Sequence, residues 1–270
     1  MPELPEVETI VRQLAPFLLG RRVERMVILD PKLAGIDSDG AAGRKISEVR
    51  RLGKQIGIGL NGGGGDGGPM WMAFHLRMTG RLISARDRTG RNDKHLRAEL
   101  VLDQGSLLFY DIRRFGTIRL ARTADELLPA AVDPLSRQFT PARLAELIGA
   151  ATTPVKSWLL RQDRLVGLGN IYACEILFAC GIDPRTPAGS LSAEQVDSLH
   201  KQTRRVLKLA IEKCGTTFSD FQDSRGQAGG FQEFLKVYGR KGEPCRTCTG
   251  PIERIVQQQR ATFFCPSCQS

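Results

Sequence analysis

Four cysteines near the C-terminus constrain this chain more than any other feature. Cys245-x2-Cys248 and Cys265-x2-Cys268 are separated by sixteen residues, the arrangement of two thiolate knuckles closing a four-cysteine zinc ribbon. Such a segment folds around its metal, so one structural Zn2+ held by Cys245, Cys248, Cys265 and Cys268 is expected. Two disulfides or incidental cysteines are the alternatives. Glu3, Glu6 and Glu8 interrupt any secretory apolar run at the start, and a reducing cytoplasm favours the metal. The remaining cysteines, Cys174, Cys180 and Cys214, fall in helical patterns without partner spacing and read as small buried apolar residues.

The opposite end carries a chemical opportunity. The chain begins Met1-Pro2-Glu3-Leu4-Pro5-Glu6, and removal of Met1 would leave Pro2 as a free secondary amine. An α-amino group has a pKa near ~7.8, so about one copy in eight is neutral at pH 7, against about one in a few thousand for lysine. A secondary amine condensing with an aldehyde-level carbon keeps no proton to lose, so the product stays a cationic iminium that favours elimination. Glu3 stands next to it to exchange the protons that condensation needs. A chance proline at position 2 is the plain alternative.

Charge sets the partner class. With 39 Lys+Arg against 29 Asp+Glu, the net charge of +10 favours polyanions, nucleic acid above all. No run of eighteen apolar residues exists to span a membrane, and 41% hydrophobic residues suffice for two cores of ordinary size.

Leu4, Val7, Ile10, Val11, Leu14 and Leu18 recur at helical spacing before Gly20, which places the amine at a helix start. Residues 21–122 change to short β-branched or apolar runs, the pattern of an antiparallel sandwich or barrel. The tract 61–69 is nearly all glycine and reads as a hairpin loop. Residues 129–138, with two prolines, read as a linker to a helical half. There Thr140-Pro141 opens a helix, Ser192 with Gln195 forms a capping box before a long helix ending near Gly215, and residues 154–161 and 170–180 read as two short helices around a glycine-bearing turn. Residues 216–236 are polar and glycine-bearing, hence a loop.

Six blocks in order along the chain carry a resemblance. They are the start Met1-Pro2-Glu3-Leu4-Pro5-Glu6-Val7-Glu8-Thr9, His75-Leu76-Arg77-Met78-Thr79-Gly80, Asp111-Ile112-Arg113-Arg114-Phe115-Gly116, Gly167-Leu168-Gly169-Asn170-Ile171-Tyr172, the run 237–245 from Val237 to Cys245, and the run 259–265 from Gln259 to Cys265. Together they resemble bacterial formamidopyrimidine-DNA glycosylases. The resemblance implies an α+β multidomain protein. Its parts would be an N-terminal helix with an antiparallel β-sandwich over 1–128, a linker over 129–138, a helix-two-turns-helix domain over 139–236, and a four-cysteine zinc finger hairpin over 237–270. Within the helical domain, residues 216–231 match the loop that closes over the damaged base.

The resemblance also implies chemistry: excision of oxidised purines from double-stranded DNA, 8-oxoguanine or ring-opened formamidopyrimidines, followed by strand cleavage at the abasic site, by a monomer in the bacterial cytoplasm. Pro2 becomes the nucleophile at sugar C1′ and Glu3 the proton donor. Lys54 matches a lysine that assists β-elimination and contacts phosphate, and Arg260 an arginine that assists δ-elimination. Met78, Arg113 and Phe115 match the wedge that fills the space left by an everted base. His75, Lys156, Asn170, Tyr238 and, less closely, His95 match DNA contacts. Two other readings share these features: a related endonuclease VIII type acting on oxidised pyrimidines, and a DNA-binding protein without activity. Leu4 and the long glycine-bearing loop favour the purine enzyme, and the joint presence of Pro2, Glu3, Lys54 and Arg260 favours activity.

Overall fold

The structure, a computed structural model, describes residues 1–62, 68–86, 94–128, 130–217 and 229–270. Its chain forms two compact units, Met1–Pro129 with Lys213–Gly230, and Ala130–Glu212 with Phe231–Ser270. The helical half expected from the sequence thus loses residues 213–230 to the first unit. One contact that ties them there is long-range: the backbone N–H of Thr216 donates to Glu6 in the first helix, at 2.7 Å.

In the first unit, α1 (Leu4–Leu18) starts at a reciprocal box in which Glu3 caps the first turn and Glu6 reaches back to the Glu3 N–H at 2.8 Å. The predicted apolar stripe of Leu4, Val7, Ile10, Val11, Leu14 and Leu18 is buried. Eight strands follow among the described residues: β1 (Val23–Ile28), β2 (Lys45–Leu52), β3 (Gln55–Asn61), β4 (Met70–His75), β5 (Gly80–Ala85), β6 (Leu96–Leu102), β7 (Ser106–Asp111) and β8 (Thr117–Ala121). They make two antiparallel sheets, ordered β1-β6-β7-β5 and β2-β3-β4-β8. Ile56, Ile58 and Phe74 from one sheet and Leu100, Leu107 and Phe109 from the other close a single core with Val7, Ile10 and Leu14 of α1. The expected sandwich is therefore present. The glycine tract lies largely outside the described residues.

Register decides what gathers at one end of this sandwich. The chain crosses from one sheet to the other through residues 76–79 and returns through residues 112–116. Gly80 pairs with Asp111 and His75 with Thr117, so the two corners run side by side. Gln55 pairs with His75, which brings the two-residue turn Gly53-Lys54 to the same end.

The second unit contains α2 (Pro141–Ile148), α3 (Val155–Leu159), α4 (Asn170–Cys180), α5 (Ala193–Glu212) and a hairpin of β9 (Glu253–Gln257) and β10 (Arg260–Phe264). Thr140 caps α2 as its sequence implies, accepting the Arg143 N–H at 3.1 Å, and the Ser192–Gln195 box forms in both directions before α5. The helix α3 is shorter than predicted, since Arg161 turns away to pair with Asp163. Cys174 is buried, but Cys214 is not: it lies past the end of α5, exposed and with positive φ, because the chain must turn there. The finger docks through Gln269, whose side chain accepts the Cys265 N–H at 2.9 Å and donates to the Ile182 carbonyl at 2.8 Å.

Candidate active site and nucleic-acid interface

Pro2 and Glu3 are buried at the start of α1, while Met1 is exposed. The capping box fixes Glu3 at an element held by the sandwich core, so both residues are positioned rigidly. Glu6 does more than cap. One carboxylate oxygen holds the Glu3 N–H and the other the Thr216 N–H, fastening the helix start to the 213–217 segment. Gly215 permits this approach: its φ is +75°, and a Cβ there would stand 2.7 Å from the Glu6 oxygen. In the sequence Glu6 stands out only as an acid near the helix start, and its second partner is a long-range contact. The loop expected to close over a damaged base lies, over 218–228, outside the described residues.

Lys54 is almost fully buried in its turn, where Gly53 takes positive φ. Nearby, Arg51 pairs with Glu8 of α1 at 3.0 Å, tying the hairpin to the helix that carries Pro2. His75 accepts the Arg77 N–H on Nδ1 at 3.1 Å, which leaves its proton on Nε2. Burial first, then the positive charges of Arg77 and Lys54, hold its pKa down to about 4, so it is a neutral donor at physiological pH.

Met78, Ile112 and Phe115 are 42%, 57% and 50% exposed on the adjoining corners, although their type would ordinarily be core. The Arg113 guanidinium lies over the Phe115 ring, 5.0 Å from its centroid. An apolar thioether, an aromatic face and a guanidinium thus project together from one end of the sandwich, beside Lys54 and His75. His95 is half-buried, its carbonyl accepting the Asp111 N–H at 2.9 Å and its Nδ1 standing 3.5 Å from Arg97.

The second unit gathers the other predicted residues. Asn170 is the first residue of α4 rather than its cap, which is Gly169. Its amide donates to the Ala261 carbonyl at 2.8 Å, and its Oδ1 is buried without a hydrogen bond. Lys156 differs from expectation. It is completely buried, its ammonium donating to the same Ala261 carbonyl at 3.3 Å, so it lies beneath the hairpin and not on a surface where DNA would meet it. Arg260, next to Ala261, is exposed at the start of β10. The ring of Tyr238 packs edge-on to Phe263 at 5.0 Å.

Two polar residues that sequence patterns do not distinguish, half-buried Gln162 and buried Glu175, organise these groups. Gln162 donates to the carbonyls of Leu160 and Leu168 and accepts the Gly167 N–H, closing the turn that presents Asn170. Glu175 accepts three consecutive N–H groups, from Lys236, Val237 and Tyr238, at 2.8 to 3.0 Å. Burial raises its pKa, and those donors oppose the rise.

The four predicted cysteines converge. Their sulfurs all lie within 4.8 Å of one another, Cys245 to Cys268 at 3.9 Å and Cys248 to Cys265 at 3.4 Å. A tetrahedral ion with metal–sulfur bonds of about 2.3 Å needs sulfurs about 3.8 Å apart, so the cluster fits a structural metal ion. Burial alone would raise the Cys245 thiol, yet the N–H groups of Cys248 and Thr247 bring it down to about 7, while burial and the neighbouring sulfurs push Cys265 and Cys268 up.

Comparison with known proteins covers the whole chain. Residues 1–118 match the formamidopyrimidine-DNA glycosylase N-terminal domain, residues 130–222 its H2TH domain, and residues 242–270 a zinc finger found in FPG and IleRS. The formamidopyrimidine-DNA glycosylase of Chloroflexus aurantiacus is 42% identical, over 100% of this chain and 98% of its own length. That of Serratia proteamaculans is 40% identical over 100% of both. Among solved structures, the MutM (Fpg) protein of Thermus thermophilus superposes with a TM-score of 0.86 at 39% identity, covering 99% of this chain and 98% of its own. Lactococcus lactis Fpg bound to DNA containing an abasic site superposes with a TM-score of 0.87 at 30% identity, over 99% of each chain.

Proposed function

The chain belongs to the formamidopyrimidine-DNA glycosylase family, and from that premise we propose that it removes oxidised purines from double-stranded DNA and then cleaves the strand through a Schiff base on Pro2. Membership of this family makes it a DNA glycosylase of base-excision repair that acts on DNA. The observation that supports excision of a damaged base is the exposed trio Met78, Arg113 and Phe115 beside Lys54 and His75. An everted base leaves a gap that such side chains fill, and the Lys54 cation and the neutral His75 N–H meet the phosphates.

In the proposed sequence, the Pro2 nitrogen, freed of Met1, attacks C1′. The bond from C1′ to the base breaks, and the departing base takes a proton, with Glu3 as donor. Collapse to the ring-opened iminium acidifies C2′. Loss of a C2′ proton expels the 3′ phosphate, with Lys54 near the developing charge. A second elimination expels the 5′ phosphate with Arg260 in that role, and hydrolysis of the iminium returns Pro2. His75, Asn170 and Tyr238 contact the DNA backbone, as does His95. Cys245, Cys248, Cys265 and Cys268 hold one structural Zn2+, which stabilises the finger and takes no part in bond making. The protein acts as a monomer on chromosomal DNA in the cytoplasm; no helix among the described residues is long and apolar enough to cross a membrane.

Borohydride trapping tests the chemistry. The wild-type protein should form a covalent adduct with abasic DNA and Pro2→Gly should not; an undiminished adduct in the variant would show that another group attacks C1′. Incision of 8-oxoguanine opposite cytosine should exceed incision at thymine glycol, and the reverse order would assign the chain to the pyrimidine-specific type.

A further inference from the structure

The mechanism above makes no use of one buried carboxylate. Asp30 follows β1 and is 3% exposed, yet it faces the corner that carries Arg113 and Phe115. Arg114, between those two residues, donates to both Asp30 oxygens, from Nε at 2.8 Å and Nη2 at 2.5 Å. This fork-to-fork pairing spans 84 residues of sequence. Arg114 adopts φ +57°, a left-handed conformation that a residue with a side chain enters only when its surroundings hold it there.

Asp30 is itself well fixed. It caps the short turn Pro31–Leu33 by accepting the Lys32 N–H at 3.0 Å, and Arg97 stands 3.7 Å away. Arg97 also donates to the Asp111 carbonyl at 2.7 Å, linking the two ends of the network. Asp111, 1% exposed, anchors the base of the corner: it accepts the Thr79 hydroxyl, next to Met78, together with the N–H groups of Arg113 at 3.2 Å and Gly116 at 2.6 Å. Both corners are thus tied at their base by Asp111 and by the Arg113 N–H, which also donates to the Thr79 hydroxyl at 3.0 Å, while the Arg114 side chain, between Arg113 and Phe115, is held by Asp30. The Arg114 hydrogen bond holds the Asp30 carboxyl down to about 2, so the pair stays ionised across the physiological range.

We infer that Asp30 is a positioning residue for base eversion: through Arg114 it locks the corner in the one backbone conformation that presents Arg113 and Phe115 together. The inference rests on the proposed wedge role of those residues and gives Arg114 a partner within the protein rather than on a phosphate. A wedge must be rigid before it enters the stack, because ordering it during entry subtracts from the interaction it makes. Loosening the tip should therefore slow eversion while leaving the Pro2 chemistry intact.

The test compares wild type with Asp30→Asn and Arg114→Gly. Asp30→Asn keeps an acceptor for the Lys32 N–H, and Arg114→Gly accepts positive φ while deleting the pair, so a folded variant is available on either side of the contact. In duplex DNA with 2-aminopurine beside a tetrahydrofuran abasic analogue, the fluorescence rise that reports wedge entry should slow at least tenfold in both variants. Borohydride trapping on a single-stranded abasic oligonucleotide, which needs no wedge, should stay within twofold. Loss in Arg114→Gly alone would mean a direct phosphate contact and overturn the inference, as would normal wedge entry in both variants or an equal loss on single strands. Wedge entry by the wild type without any trapping would instead count against the proposed Pro2 chemistry and leave the inference standing.

Discussion

Two hairpin turns present the cations proposed for the two eliminations, and they are built differently. Lys54 sits in the Gly53-Lys54 turn between β2 and β3, where glycine supplies the positive φ and strands on both sides bury Leu52 and Ile56. Arg260 follows the Gln258-Gln259 turn between β9 and β10, in which both glutamines have positive φ, 45° and 61°. A two-residue hairpin needs that handedness, but glutamine pays backbone strain for it where asparagine and glycine would not. The first turn is held by a large apolar core. The second belongs to a hairpin with a small core, Ile252, Phe263 and the cysteines among it, and must be held by its metal site and by polar struts from below. Position is secured by packing in one case and by cross-linking in the other.

Removing the cross-link should give the largest effect. Cys265→Ser should bind substoichiometric metal and lose most incision of duplex DNA, since structural zinc sites contribute on the order of 10 kcal/mol to small fingers. Metal analysis beside an incision assay checks it, and full incision by metal-free protein would break the link between metal and Arg260. A strut should matter less. Lys156→Met removes the ammonium from the Ala261 carbonyl and should cost about 1–3 kcal/mol of stability. It should also shift the products from δ- towards β-elimination at unchanged metal content. A product ratio equal to that of wild type would mean that Lys156 supports the finger without setting Arg260. The smallest effect should come from the turn itself. Gln259→Gly relieves the left-handed strain and should raise unfolding stability by roughly 1 kcal/mol, whereas glycine in place of Lys54 has no strain to relieve. Thermal unfolding would show it, and destabilisation would indicate that the Gln259 side chain holds the turn.

Much of the molecule is legible in one dimension because the signals are local. The first helix, the capping pairs at Thr140 and Ser192 and the cysteine knuckles depend on residues three or four apart, and each appears where the pattern places it. Lys156 misleads for the same reason. A basic residue in a helical stretch looks like a surface contact, and nothing near it in sequence reveals the carbonyl of Ala261 above it. Exposed Met78 and Phe115 look like core residues until the strand register lays two corners together. Glu175 and Asp30 are ordinary acidic residues in sequence, and only their burial against distant partners marks them.

The amino-acid order by itself determined which reactive groups this protein possesses, the secondary amine waiting behind Met1, its neighbouring carboxylate and the four thiols, along with the helices and strands that local preference specifies. Tertiary structure decided which of its charges face outward and which are consumed within. Asp30, Asp111, Glu175 and Lys156 are bound to partners brought close by core packing, and in a medium that has excluded water each buried charge must find such a partner. Spacing along the chain cannot name that partner, because burial of the two cores chooses it.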